Sequence, residues 1–373
     1  MICKTNVPPQ TEKVYITTIR VNQTTTSPAS IIKRSVDEGG IEAILANSHR
    51  YLAKYTSAGT VTICQLNDDD SNYYFDGTPA ILTGAEGDVF MRLPKFYYKA
   101  VEAATDKWDI SFCYAKEKPD DSWKVWDGND LIGVYKSIMQ GTVLYSISGV
   151  RPSSDGRMFI MQAAKNKGEG FSLVKWKHHC MMAFLYYAAA DTTASKLGYG
   201  HSYSTGSNFV TGISNNYGME HAKIKVTSDQ YAHNFWGLED WWGYFSEWFE
   251  NVSGAGYYSI KITEDDGTTR TLGGGFTQTK GYPSKMTIGE HLDLYPTTLS
   301  GSTSTGYCTH FTGASSSSGT AALRAGLDTS SDNGVAYAAC NYSSYYVGEG
   351  CASRLCFRGN IVEEKNVTRY KSI

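Results

Sequence analysis

Residues 237–252, GLEDWWGYFSEWFENV, carry Trp241, Trp242 and Trp248, with Trp236 immediately ahead of them. Tryptophan is costly to leave in water and dominates core burial where its N–H finds a partner. The segment therefore reads as frame. The other strong signature lies upstream, in MFIMQAAKNKGEGFSLVKWKHHCMMAFLYYAAA (158–190). From Phe171 onward it is the longest apolar helix candidate in the chain. Val174, His178, Met181, Met182, Leu185 and Ala189 fall on one face at helical spacing.

Working outward, SIKIT and TRTLGGGF flank an Asp-Asp-Gly turn at 265–267 and predict a hairpin. TVTICQL (60–66) and WDISFCYA (108–115) read as strands. The block 60–127 is expected to be a β-rich lobe. IEAILANSHRYLAKY (41–55) predicts a helix through Ile41, Ile44, Leu45, His49, Leu52 and Tyr55. Residues 1–40 are polar and Thr/Ser-rich. Apart from one strand candidate at 14–21 they are expected to form an arm or attachment and oligomerisation segment that packs little by itself. The domain reading is an arm at 1–40, a β-rich lobe at 41–150 and a C-terminal domain at 151–373. Beyond about 296, Ser/Thr/Gly-rich loops alternate with short β-compatible runs.

The chain has 373 residues, long enough for two or three domains and a real core. Lys+Arg total 34 and Asp+Glu 37, for a net charge of −3. With no basic cluster, nucleic acid is not an expected partner. No apolar run reaches the ~18 residues of a membrane span, and membrane insertion is not expected. MICKTNVPPQTEK, at the N-terminus, lacks a signal-peptide core, so secretory export is not expected. The cysteines show no CxxC pair and read as buried free thiols. The 27 Tyr and 37 Gly fit either a binding surface of rigid rings and small polar groups or a turn-rich β protein.

Catalytic and cofactor patterns are weak. His178, His179 and Cys180 are adjacent on a helix candidate, about 100° apart, and are poorly placed to share a metal. Asp68–Asp70 lacks the Gly and the closing Glu of a calcium loop. Gly273–Gly275 lacks a following Gly-Lys-Ser/Thr. Cys351 and Cys356 lack an adjacent base. No catalytic residue, cofactor or metal is expected. The remaining signal is AACNYSSYYVGEG (338–350), with tyrosines interleaved among small residues and no core-forming period. Tyr clusters on a rigid frame favour recognition, while an edge strand with ordinary cross-strand tyrosines is the plainer alternative.

SRLCFRGNI (353–361) resembles the C-terminal strand motif of retroelement-diversified variable proteins carried on bacteriophage tail fibres. GEGFSLVKWKHHCMMAFLYYA (168–188) and GLEDWWGYFSEWFENV resemble the helix and the Trp-rich segment of that family's C-type-lectin-like domain. GDVFMRLPKFYYKA (87–100) and DKWDISFCYA (106–115) are similar to the N-terminal lobe of its phage-encoded members. The resemblance covers most of residues 41–365. It implies an α+β fold, with a β-rich N-terminal lobe followed by a C-type-lectin-like domain with long irregular loops. It also implies a receptor-binding, tropism-determining role at a tail-fibre tip in the virion, after assembly in the host cytoplasm. The implied partners are a host bacterial surface receptor, protein or glycan, and tail-fibre or baseplate proteins, with the chain a homotrimer.

In that family an error-prone reverse transcriptase rewrites adenines, mostly within AAC-type codons, in the last part of the domain, here about 320–359. Counted back from SRLCFRG, the variable slots fall on Ala339, Asn341, Tyr342, Tyr346, Gly348 and Gly350, with Tyr345 one register away. A second cluster would be Leu327, Asp328, Ser330, Ser331 and Asp332. Glu349, which such codons cannot reach, falls on a fixed slot. Trp236, Trp241, Trp242 and Trp248 would make the scaffold. Arg354 and Arg358 would anchor loops through backbone carbonyls. The Trp-rich segment also recurs in formylglycine-generating-enzyme-like proteins. That copper-oxidase alternative would need a cysteine pair such as Cys351 and Cys356. A diversified lectin on a bacterial surface is the third reading.

Overall fold

The apolar–polar alternation of WDISFCYA becomes the strand Lys107–Tyr114, the centre of a five-stranded antiparallel sheet. Its order is Ile32–Asp37, Tyr15–Asn22, Lys107–Tyr114, Phe96–Ala104, Lys124–Trp126. In this computed structural model the described residues are 13–194, 210–225, 231–243, 245–273, 280–313, 320–324, 334–347 and 351–373. Strands make up 41% of the structure and helices 14%, which makes it a β-rich α+β protein.

The first sheet corrects the expectation for residues 1–40. Tyr15–Asn22 and Ile32–Asp37 are integral strands, and Ile19, Val21, Ile31 and Ile32 are fully buried. The strand candidate at 14–21 is present as Tyr15–Asn22; polar composition hid its packing and the second strand, because Thr17 and Thr18 are buried as well, with Thr18 Oγ1 2.8 Å from Ser111 Oγ. A paired hydroxyl can enter a core at little net cost.

The helix expected over 41–55 is also corrected. It runs only Gly40–Ala46, and His49–Ser57 is a strand. Asn47 Nδ2–H donates to the Ala43 carbonyl at 2.8 Å, and Ser48 Oγ–H donates to the Ile44 carbonyl at 2.8 Å. These side chains take up the last free carbonyls and end the helix. Tyr51, Leu52 and Ala53 are then buried by pairing with Thr60–Gln65 and Asp88–Arg92. Tertiary pairing overrides the helical spacing.

A seven-stranded sheet follows the order Phe171–Leu173, Leu355–Arg358, Asp130–Gly133, Asp88–Arg92, His49–Ser57, Thr60–Gln65, Asn360–Glu363. All its pairs are antiparallel except the last, which is parallel. It interleaves strands from both sides of residue 150, and one apolar core runs from Ile19 to Tyr370. The domain boundary expected near 150 is therefore not a break in the packing. Phe171–Leu173 is a strand of this sheet, so the long apolar helix begins only at Trp176 and ends at Ala190. Gly170, at φ +88°, sets the break: a Cβ there would lie 2.7 Å from the Arg358 carbonyl oxygen. From His178 to Ala188 every residue of the helix is buried, as a helix apolar all round requires.

A six-stranded sheet carries the C-terminal region, in the order Lys280–Gly281, Phe311–Thr312, Ala338–Ser343, Thr320–Arg324, Ser246–Trp248, Cys351–Ala352. The expected hairpin is present as Ser259–Thr263 paired with Thr269–Gly273. Among the described residues no helix is long and apolar enough to cross a membrane.

Candidate functional site

The frame comes first. Trp236, Trp241, Trp242 and Trp248 are all buried. Trp236 and Gly237 join two paired strands, with φ of 50° and 79°. Two successive positive φ values are what a tight two-residue hairpin demands. Glu247, Arg354 and Lys136 form a buried charge cluster behind these rings. Arg354 donates to the Glu247 carboxylate at 3.0 and 3.2 Å and to the carbonyls of Gly133 and Glu239 at 2.8 Å. Lys136 Nζ donates to Glu247 Oε1 at 2.8 Å and to the Phe245 carbonyl at 2.9 Å. Buried charges persist only with such full pairing.

Arg354 thus holds loops through carbonyls, with a carboxylate added. Arg358 differs from expectation. It is partly exposed and donates to the carboxylates of Asp127, at 2.6 Å, and Asp130, at 3.0 Å. Its place at the sheet end puts it among acidic side chains instead of carbonyls. Burial works to raise Asp130, but His178, Lys177 and Arg358 outweigh it and hold that carboxyl well below the usual range.

On this frame sits the strand Ala338–Ser343. Its first three residues are buried, Asn341 and Ser343 are exposed, and Tyr342 is half-buried. A turn follows, closed by the Tyr346 N–H donating to the Ser343 carbonyl at 2.9 Å. Tyr345 is 68% exposed and Tyr346 41%, with Val347 beside them. The Tyr342 and Tyr346 rings pack at 4.7 Å. Tyr342, Tyr345 and Tyr346 therefore lie together at this turn, while Asn341, next to Tyr342 on the strand, is exposed on the opposite face.

Ala339 does not, and this is a correction: only 3% exposed, it lies in a strand flanked on both sides, paired with Thr312 and with Leu323. Leu327, Asp328, Ser330, Ser331, Asp332, Gly348 and Gly350 lie outside the described residues.

Sequence reasoning missed Met158 and Phe159. They are 49% and 60% exposed in the first turn of the helix Arg157–Lys167. A Cβ on Gly156 would be 3.5 Å from both the Phe159 ring and the Tyr345 carbonyl oxygen, so the helix start and the tyrosine turn adjoin. The signal was present in MFIMQAA. Ile160, Ala163 and Ala164 point inward at i, i+3 and i+4, which leaves Met158 and Phe159 outside. Arg157 and Trp248 pin this corner: Arg157 Nε donates to the Phe249 carbonyl at 2.6 Å, and Trp248 Nε1–H to the Asp155 carbonyl at 3.1 Å.

The other candidates resolve locally. His178 is buried, and its Nδ1 accepts the Lys175 N–H at 3.0 Å. Burial pushes its pKa down, although Asp130 opposes this. Asp69 and Asp70 donate their N–H groups to the Asn67 side chain, forming a local turn. Cys351 and Cys356 are buried; burial pushes the Cys351 thiol up to about 11 and Cys356 higher still, away from the thiolate that binds copper. Every described cysteine is free and buried. Comparison with known protein families and with curated proteins finds no match to this chain.

Proposed function

We propose that this chain is a receptor-binding, tropism-determining protein of a bacteriophage tail fibre. Its C-terminal part would be a C-type-lectin-like domain whose diversified surface grips a molecule on the host bacterium. It binds and does not turn over a substrate. The observation that carries the reading is the contrast between sealed tryptophans and the exposed Tyr345 and Tyr346 a few residues before the SRLCFRG strand. Large rings with few rotors give contact area at low entropic cost. Surface positions on a rigid frame tolerate exchange, usually within about ±0.5 kcal/mol. Display as a homotrimer at a fibre tip would convert weak single sites into firm attachment.

Two results test this. The coding sequence for about 320–359 should have a near-copy beside a reverse transcriptase gene, differing chiefly at adenines. Phage carrying Tyr345→Ala and Tyr346→Ala should lose adsorption to the host. Normal adsorption by that double variant, with no such copy in the genome, removes the proposal.

A further inference from the structure

The face of the seven-stranded sheet that packs Ile63 and Phe90 into the core changes character at one end. His49 and Tyr51 stand two residues apart on one strand and so share that face. Arg92 is the cross-strand partner of His49, and Gln65 is that of Tyr51. These four side chains, with Glu363 from the neighbouring strand, line a cleft of about 390 Å³. That size suits a small ligand.

Several polar groups in the cleft have no protein partner among the described residues. Tyr51 is only 6% exposed, yet its hydroxyl has no hydrogen bond among the described residues and is not among the sealed atoms. It therefore opens into the cleft. Burial, first of all, pushes the phenol pKa up, so the hydroxyl stays protonated and can both donate and accept. Arg92 is aimed by its Nε, which donates to the Gly128 carbonyl at 2.7 Å; its two terminal nitrogens have no partner among the described residues. Arg92 and Glu363 line the same cleft without forming an ion pair. His49 is oriented by Asp68, whose two carboxylate oxygens both lie 3.0 Å from Nδ1. A carboxylate only accepts, so Nδ1 donates.

We propose that this cleft is a binding site for a neutral saccharide, one or two sugar units in size. Charge decides the class. Arg92 and Lys95 share the lining with Glu363, and Asp68 sits behind His49, so both signs stand at the cleft and no cluster of one sign selects an ion. It offers planar donors and acceptors and a tyrosine hydroxyl, which match a ring of hydroxyls that each donate and accept. Unpaired polar groups held in a semi-buried cleft are costly unless a ligand or water satisfies them. The site is built by residues between 47 and 114 and by Glu363, outside the segment proposed to vary, and stands independently of the receptor reading.

The test is saturation-transfer NMR on the full chain with glucose, galactose, N-acetylglucosamine, rhamnose, lactose and maltose, followed by calorimetric titration of those that respond. At least one should bind with a millimolar or lower Kd. Tyr51→Phe, which removes one oxygen, and Arg92→Met should each weaken it about tenfold or more. Tyr345→Ala should leave it unchanged. Thermal midpoints identify any variant that fails to fold, and Tyr51→Phe alone then decides. The proposal is overturned if none of the six binds, if Tyr51→Phe binds as tightly as the parent, or if Tyr345→Ala abolishes the signal.

Discussion

Trp248 and Asp155, 93 residues apart in sequence, are joined by an indole N–H donating to a backbone carbonyl at 3.1 Å. This bond ties the tryptophan-rich frame to the corner at Gly156, where the start of the 157–167 helix adjoins the Tyr345 turn. Trp248→Phe keeps an aromatic ring in the core but leaves the Asp155 carbonyl without this donor. It should cost about 1–3 kcal/mol in urea unfolding. Receptor adsorption should fall as well, because the 155–159 corner loses its anchor. A variant that is less stable yet adsorbs normally would separate frame from surface.

Glu247 is a carboxylate shared by Arg354 and Lys136, all three buried. Removing one partner of a buried pair strands the other, at about 3–5 kcal/mol. Glu247→Leu takes this carboxylate from two buried cations and should be worse than Lys136→Met, which leaves the Arg354 pair intact. Urea midpoints, or the soluble fraction where Glu247→Leu does not fold, give the ranking. The opposite order would show that the cluster is not held through Glu247.

Asp240 gives a pH signature. Burial, followed by the neighbouring Glu239 charge, pushes its carboxyl up to about 7, while Lys136, Arg354 and the His233 N–H pull the other way. A carboxyl raised above its ordinary 3.8 binds its proton more tightly folded than unfolded. Its contribution to stability is full below about pH 4 and is lost as pH rises through about 7. Asp240→Asn resembles the protonated form and cannot titrate. From pH 5 to pH 8 the parent's thermal midpoint should fall relative to that of Asp240→Asn. Parallel curves would contradict the assignment.

Local signals were legible wherever they agreed with tertiary packing. The alternation around Ile110 and Phe112, the turn at 265–267 and the burial of four tryptophans could all be read from residue types. The strand at 49–57 could not. His49, Leu52 and Tyr55 fall at helical spacing, and only the partners at 60–65 and 88–92 make a strand of them. Thr17 and Thr18 looked like surface because their hydroxyl partners are distant in sequence. Met158 and Phe159 were hidden for another reason: exposed apolar side chains differ from core ones only by where the chain around them goes.

Ala339 and Asn341 make the sharpest test of where the proposed variable surface would begin. Two apart on one strand, they fall on the same face by period, yet Ala339 is sealed and Asn341 is exposed. Exposure here changes along the strand, because the strand leaves the core between Cys340 and Asn341. Slot-counting from the SRLCFRG motif cannot detect that. Asn341→Tyr should change stability by no more than about 0.5 kcal/mol while altering what the surface binds. Ala339→Tyr must force a ring into a packed site and should cost about 1–3 kcal/mol or more. Urea unfolding of the two variants decides. Equal tolerance would return Ala339 to the proposed contact surface; a large penalty at 339 alone places the inner limit of the proposed patch at Asn341.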